Sequence, residues 1–381
     1  MADFMEQMEA QSAHSKIYMK PVGFLDNPQY FDEQNSRLNN SLMWFSQIEC
    51  TTIDEGKSAR ALVPVEQWPQ LLEKMVEPLA ERATALFANL TRPHAPLQCG
   101  ERVIRFDQPH VMGILNRTPD SFSDGGKHAG KNGSDPQAAI DAAFNMATAG
   151  ASIIDIGGES TRPGAEAVWE GDEIKRVVPV IEKLTHCGAA ISVDTRKAAV
   201  MEAAIAAGAH IINDISALLH DKRSLEVAGV SGKPVVLMHA PSSGKDPHKG
   251  NGYGNVVTET FDWLEQRIAD VVEAGFEREK IIVDPGLGFG KSLADNLALM
   301  NNLAMFHALG QPLLIGASRK RMIGALSKEA PVDQRLGGSI ALALHAIQQG
   351  AQIVRVHDVP ETVQAAQVWR GMRDAGVTAR V

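Results

Sequence analysis

Eight short apolar runs recur along the chain, and each stops at a polar residue or a glycine. They cover 110–115 into Asn116, 153–156 into Gly157, 190–193 into Asp194, and 211–212 into Asn213 and Asp214. The other four are 235–238 into His239, 281–283 into Asp284, 313–315 into Gly316, and 353–356 into His357. Helical spacing fills the intervals, at 136–149, 172–185, 197–207, 258–274, 293–309, 339–349 and 360–373. The interval between the fourth and fifth runs is short, and its helix is the least well marked. Alternating strand and helix predicts parallel pairing with right-handed crossovers. Continuous apolar runs are what strands buried on both faces show. The fold class expected is α/β, a (β/α)8 TIM barrel. An open doubly wound sheet competes, but no Gly-x-Gly-x-x-Gly follows the first run. In such a barrel the C-terminal strand ends form the rim that carries the active site. The residues that stop the runs are therefore the candidate site residues.

Residues 1–100 read differently and are expected to form an N-terminal extension, small and α/β or mostly helical, before a barrel at 101–381. The first forty or so are polar, with Pro21, Pro28 and several Asn. A strand is suggested at 60–65. Leu71, Leu72, Met75, Leu79, Ala83, Leu86 and Leu90 recur at threes and fours, predicting a helix over 68–90. Thr91-Arg92-Pro93-His94-Ala95-Pro96 then has the composition of a linker. This region carries no chemical motif; a brace against the barrel is the plain reading, and an independent ligand-binding domain the alternative.

Composition narrows the setting. The chain has 381 residues, 44% hydrophobic and 22% charged, as soluble globular proteins do. A net charge of −9 weighs against nucleic-acid binding. Cys50, Cys99 and Cys187 are scattered and form no zinc or disulfide pattern, so a reducing cytoplasm is expected. The acidic start, Met1-Ala2-Asp3-Phe4-Met5-Glu6, lacks the apolar stretch of a secretory leader. No run of 18 apolar residues predicts a membrane span.

The rim residues divide into four sets. After the first run come Asn116-Arg117-Thr118-Pro119-Asp120-Ser121-Phe122-Ser123-Asp124-Gly125-Gly126, rich in turn residues and hydroxyls. An Asn carbonyl at a strand end is a hard donor suited to Mg²⁺. After the second come Gly157-Gly158-Glu159-Ser160-Thr161-Arg162-Pro163-Gly164. Backbone N–H groups, two hydroxyls and a guanidinium suit an anion. Asp194, Asn213, Asp214 and Asp284 form an acidic and amide set. Metal binding, acid–base work and recognition of a donor-rich heterocycle are all open to it. An Asp at a strand end also commonly caps a helix. No His or Glu accompanies these residues at ligand spacing, which weighs against a metal-only site. Ser318-Arg319-Lys320 and Arg355-Val356-His357 form a basic set after the seventh and eighth runs, where such barrels recurrently bind phosphate. Alternation puts Arg355 and His357 on one side of their strand. An acidic end and a basic end match a flat donor-rich ring joined to a phosphate or diphosphate.

These segments, with Ser192-Val193-Asp194-Thr195, Ile212-Asn213-Asp214 and Asp284-Pro285-Gly286-Leu287-Gly288-Phe289-Gly290-Lys291, resemble the motif series of the dihydropteroate synthase family, in order over about 110–370. The resemblance implies condensation of 6-hydroxymethyl-7,8-dihydropterin diphosphate with 4-aminobenzoate, in folate synthesis. It implies that Asp194, Asn213, Asp284 and Lys320 bind the pterin, with Met238 and Phe289 walling its slot. It implies Mg²⁺ on Asn116, diphosphate on Thr161, Arg162, Arg355 and His357, and substrate contacts at Ser318 and Val356. Phe122, Ser123, Asp124 and Pro163 would lie by the aminobenzoate, and Asp124, Lys320, Arg355 and His357 would serve catalysis. Sulfonamides would be its inhibitors. A homodimer, with neither nucleic acid nor membrane as partner, is implied too. Two departures stand out: Arg117, where the family usually has a small apolar residue, and Ala240-Pro241-Ser242-Ser243-Gly244-Lys245, where many members carry another loop pattern. A silent pterin-binding homologue and a pterin-dependent methyltransferase domain are the alternative functions.

Overall fold

The computed structural model describes residues 15–378 except 55, 118–135, 163–164, 243–245 and 251. Fourteen strands are numbered in chain order among the described residues. The eight that form the barrel are β7 (His110–Asn116), β8 (Ile153–Gly157), β9 (Ala190–Asp194), β10 (Ile211–Asp214), β11 (Val235–Met238), β12 (Ile281–Asp284), β13 (Leu314–Ile315) and β14 (Ile353–Val356). They run in the order β12-β11-β10-β9-β8-β7-β14-β13. A parallel bridge between Val283 and Leu313 joins the two ends, so the sheet closes on itself as a (β/α)8 TIM barrel. The intervening helices include Pro136–Thr148, Glu170–Leu184, Val256–Glu273, Leu336–Gln348 and Val359–Thr378. A helix at Ser224–Ser231 fills the short interval between β10 and β11.

The floor of the barrel is one apolar layer. Met112, Ile153, Ala190, Ile211, Val236, Ile282, Leu314 and Ile353, one from each strand, pack together. Beneath them a hairpin of β5 (Leu97–Cys99) and β6 (Arg102–Ile104) inserts Leu97, Cys99, Ile104 and Phe106. This plug seals the end opposite the rim.

The extension forms an antiparallel sheet. β3 (Trp44–Asp54) pairs with β1 (Lys16–Phe24) on one side, and with β2 (Ser36–Arg37) and β4 (Lys57–Pro64) on the other. The strand expected at 60–65 is the end of β4. β1 and β3 were not legible in the sequence: Pro21 and Gly23 punctuate β1, and the buried face of β3 alternates Ile48, Cys50 and Thr52 with polar residues. Pro21 is tolerated because β1 is an edge strand with one partner. The helix expected over 68–90 is two, Trp68–Leu72 and Glu77–Thr91. Pro78 starts the second, because its ring and missing N–H forbid a turn running through it. Likewise 293–309 is an α-helix, Leu293–Asn301, followed by a 3₁₀ stretch, Leu303–Leu309.

The extension shares its core with the barrel. Ile17, Met19, Phe45, Leu86 and Leu90 belong to one cluster with Phe261, Phe306 and Leu309. Tyr18 donates to Asp262 at 3.0 Å and meets Phe261 edge-on. Arg82 pairs with Glu265 at 3.0 Å, and Asn89 donates to the Ala308 carbonyl at 2.8 Å. Arg373, on the last helix, donates to the Leu25 and Leu42 carbonyls and to Asp26.

Candidate active site

Parallel register sets the rim in a row. Asn116 lies opposite Gly157, Gly157 opposite Asp194, and Asp194 opposite Asn213. Gly157 has no side chain to fill the row. A Cβ there would sit 3.6 Å from Asn116 Oδ1 and 3.6 Å from Asp194 Oδ2, so two hard oxygens face one gap. Below Gly157 on the same strand side is Asp155, wholly buried. Its Oδ2 accepts from Arg355 Nε at 2.6 Å and from Asn213 Nδ2 at 2.9 Å. Arg355 Nη2 donates to Asp194 Oδ2 at 2.6 Å.

This arrangement redraws the expected split between an acidic and a basic end. Arg355 sits among the acids, joining β14 to β8 and β9 through the barrel interior. Burial works against its charge, but Asp155 and Asp194 outweigh it and hold its pKa above the ordinary value. Burial pushes the Asp194 carboxyl up, and Arg355 pulls it back. Burial likewise raises Asp284, opposed by Lys320. Asp214 stands apart from these. Its oxygens accept from the Ser216 hydroxyl and from the Ser216 and Leu218 backbone N–H groups, within a tight turn. Of the open readings for the acidic set, turn capping is the one Asp214 fulfils.

Glycine shapes the loop after β12. Asp284 Oδ1 accepts from the Gly286 N–H at 2.7 Å. Gly286 has φ +69°, and a Cβ there would lie 1.9 Å from the His239 carbonyl, so no other residue fits. Lys291 braces the same loop: its ammonium donates to the Gly286 carbonyl at 2.9 Å and to His239 Nδ1 at 3.0 Å. Burial lowers its pKa to about 7 despite Asp284. Phe289, at the loop tip, packs on the cluster of Met238, Ile215 and Ala240. The expected wall pair, Met238 and Phe289, is thus brought together. Lys320 lies over the Phe289 ring at 4.9 Å and donates to the Leu287 carbonyl. Burial lowers Lys320 to about 8, with Asp284 opposing.

On the other side, Ser318 Oγ is 3.1 Å from His357 Nδ1 and accepts from the His357 N–H. Burial, then Arg355 and Arg319, depress His357 to about 4, so the ring is neutral around pH 7. Arg319 turns to Asp358, at 3.1 Å from Nε. Val356 is buried beside them. Thr161 and Arg162 stand on the loop after β8, with Arg162 exposed. His248 Nε2 donates to the Thr161 carbonyl at 3.0 Å, and its ring stacks on Phe289 at 4.9 Å. Arg117 is 5% exposed, so its side chain is buried and not turned to solvent. Phe122, Ser123, Asp124 and Pro163 lie outside the described residues.

Three contributors were given no role by the sequence, Asp155, His248 and Lys291, and His239 stood only among the residues that stop the runs. Asp155 carried a usable signal, a charge inside the apolar run 153–156, as Arg355 is within 353–356.

Mg²⁺ was expected on Asn116. Among the described residues no cluster of three His, Cys, Asp or Glu could hold a metal alone. Asn116 Oδ1, a hard oxygen at the strand end beside Gly157, suits an ion that takes its remaining oxygens from phosphate and water.

Residues 112–357 match the family model described as pterin binding enzyme. Over 264 residues the chain is 48% identical to dihydropteroate synthase of Escherichia coli, covering 68% of this chain and 90% of that protein. It resembles the structure of Xanthomonas albilineans dihydropteroate synthase with 4-aminobenzoic acid at 45% identity and TM-score 0.67, covering 74% and 98% of the two chains. The same enzyme in complex with 7,8-dihydropteroate matches at 43% identity and TM-score 0.65, over 73% and 99%. The chain belongs to the pterin-binding enzyme family.

Proposed function

We propose that this chain is a dihydropteroate synthase, condensing 6-hydroxymethyl-7,8-dihydropterin diphosphate with 4-aminobenzoate to give 7,8-dihydropteroate and diphosphate. The observation that carries the reading is the convergence of Asp194, Asn213 and Asp284 with Arg355 and Lys320 on one barrel mouth, beside the Met238–Phe289 wall.

Each group has work to do. Asp284 accepts hydrogen bonds from the 2-aminopyrimidine edge, and Asn213 and Asp194 bind the rest of the ring. In a buried site an analogue lacking those donors leaves a carboxylate unpaired, which makes recognition selective. Met238 and Phe289 flank the ring. Arg355, Thr161, Arg162, Ser318 and His357 hold the diphosphate. The bond between the pterin methylene and the diphosphate oxygen breaks first, its electron pair leaving with the oxygen. Conjugation with the ring supports the cation that remains. The arylamine nitrogen then forms the new C–N bond and sheds a proton, with Asp124 the candidate acceptor. Asn116 would hold Mg²⁺, which supplies charge neutralisation at the diphosphate. Preorganised cations stabilise the negative charge that builds as diphosphate departs. Sulfonamides compete for the aminobenzoate position. Among the described residues no helix is long and apolar enough to cross a membrane. A cytoplasmic homodimer completes the proposal.

The test is direct. Purified protein with Mg²⁺, the pterin diphosphate and labelled 4-aminobenzoate should yield labelled dihydropteroate. Retained pterin binding with no product would overturn the synthase in favour of a silent homologue.

A further inference from the structure

We infer that Asp155 is a positioning residue for the reaction, the fixed anchor that aims both Arg355 and Asn213 while Asp194 is the exchangeable partner of Arg355. The inference rests on the synthase reading above. Asp155 occupies an apolar strand and is 0% exposed, so it offers no oxygen to a ligand at the mouth. A buried carboxylate is costly unless paired. Here its pairing is concentrated on one oxygen, which takes both the Arg355 Nε and the Asn213 Nδ2 hydrogen bonds.

Each bond selects an orientation. A carboxylate only accepts, so Asn213 must turn its amide nitrogen toward Asp155. That leaves Asn213 Oδ1 and the second amide hydrogen for a ring edge. For Arg355, the Nε bond at 2.6 Å fixes the plane of the guanidinium, while its Nη2 reaches Asp194 at 2.6 Å. Asp194 is differently placed: it stands at the strand end beside the Gly157 gap, opposite Asn213. When a donor-rich ring claims Asp194, Nη2 is released toward the leaving group. Nε keeps its bond to Asp155 throughout. Gly157, two residues beyond Asp155, puts no side chain between Asn116 and Asp194, where a Cβ would touch both. One buried carboxylate thereby links recognition of the ring to capture of the diphosphate.

A mutant cycle tests this. Asp155→Ala should lower kcat about 100-fold, the scale of a misaimed catalytic group. Asp155→Asn keeps an acceptor oxygen in place and should recover part of that loss. In an Arg355→Ala background, Asp155→Ala should cost under about threefold more, because residues acting through one another are not additive. Affinity for inorganic diphosphate with Mg²⁺, measured by calorimetry, should follow the same non-additive pattern. Multiplying losses in the double variant, or Asp155→Ala within about threefold of wild type, would overturn the inference. If Asp155→Ala does not fold, Asp155→Asn with Arg355→Ala completes the cycle. Absence of product from the wild type would instead strike the synthase reading, and the diphosphate cycle would still decide the role of Asp155.

Discussion

At the scale of the residue, His357 shows what burial among arginines does to a base. Burial and three arginines hold its pKa at about 4, so no proton sits there near pH 7. Diphosphate arriving beside it reverses the field and favours the imidazolium. Binding should therefore take up a proton, and should tighten as pH falls through the range between the free and bound values. Calorimetry of diphosphate binding at pH 6.5, repeated in buffers of different ionisation enthalpy, measures that uptake. His357→Phe should abolish it. Equal uptake in the variant would place the proton elsewhere. The strand-end residues of this site, Asn116, Asp194, Asn213, Asp284 and His357, were legible because polarity interrupts an apolar run at a predictable place. What was hidden is partnership. Spacing cannot show that Arg355 crosses the interior to Asp155, or that His248 reaches the Thr161 carbonyl, since these contacts join residues far apart in the chain.

At the scale of the element, the barrel was readable and the extension was not, for a physical reason. Strands buried on both faces are mostly apolar, so β7 to β14 announce themselves. β1 and β3 have one face on the core and carry Pro21, Gly23 and Thr52. The β5–β6 hairpin is too short to show a period, yet it closes the floor. Phe106 packs in that layer with Met112, Ile153 and Ile353. Phe106→Ala should destabilise by about 3–5 kcal/mol, the usual cost of deleting a buried aromatic. Denaturant unfolding should show a lower midpoint with unchanged slope. Because floor and rim serve different ends of such a barrel, kcat per folded molecule should stay at the wild-type value. A lost kcat without lost stability would contradict this division of labour.

At the scale of the whole molecule, acid should act on the seam between extension and barrel. His94 lies in the linker after the Glu77–Thr91 helix, and His307 lies in the 3₁₀ stretch that carries the extension's core contacts. Burial, then His307 and Arg92, lower His94 to about 3. Burial lowers His307 to about 4, partly opposed by its hydrogen bond to the Gln349 carbonyl at 2.9 Å. An unfolded histidine takes up its proton near pH 6.5. Below about pH 6.5 the unfolded chain thus binds protons that the folded seam refuses, and stability falls until the folded values are reached. The loss is on the order of a few kcal/mol for the pair. His239 and His357 are depressed as well, but they belong to the rim. The double variant His94→Gln, His307→Gln isolates the seam. Its melting temperature should fall less than that of the wild type between pH 7 and 4.5. Hydrogen exchange should show β1, held to Asp262 by Tyr18, opening first in the acidified wild type. A pH slope identical in both proteins would place the acid sensitivity at the other depressed histidines, His239 and His357 on the rim or His110 and His210 at the strand starts.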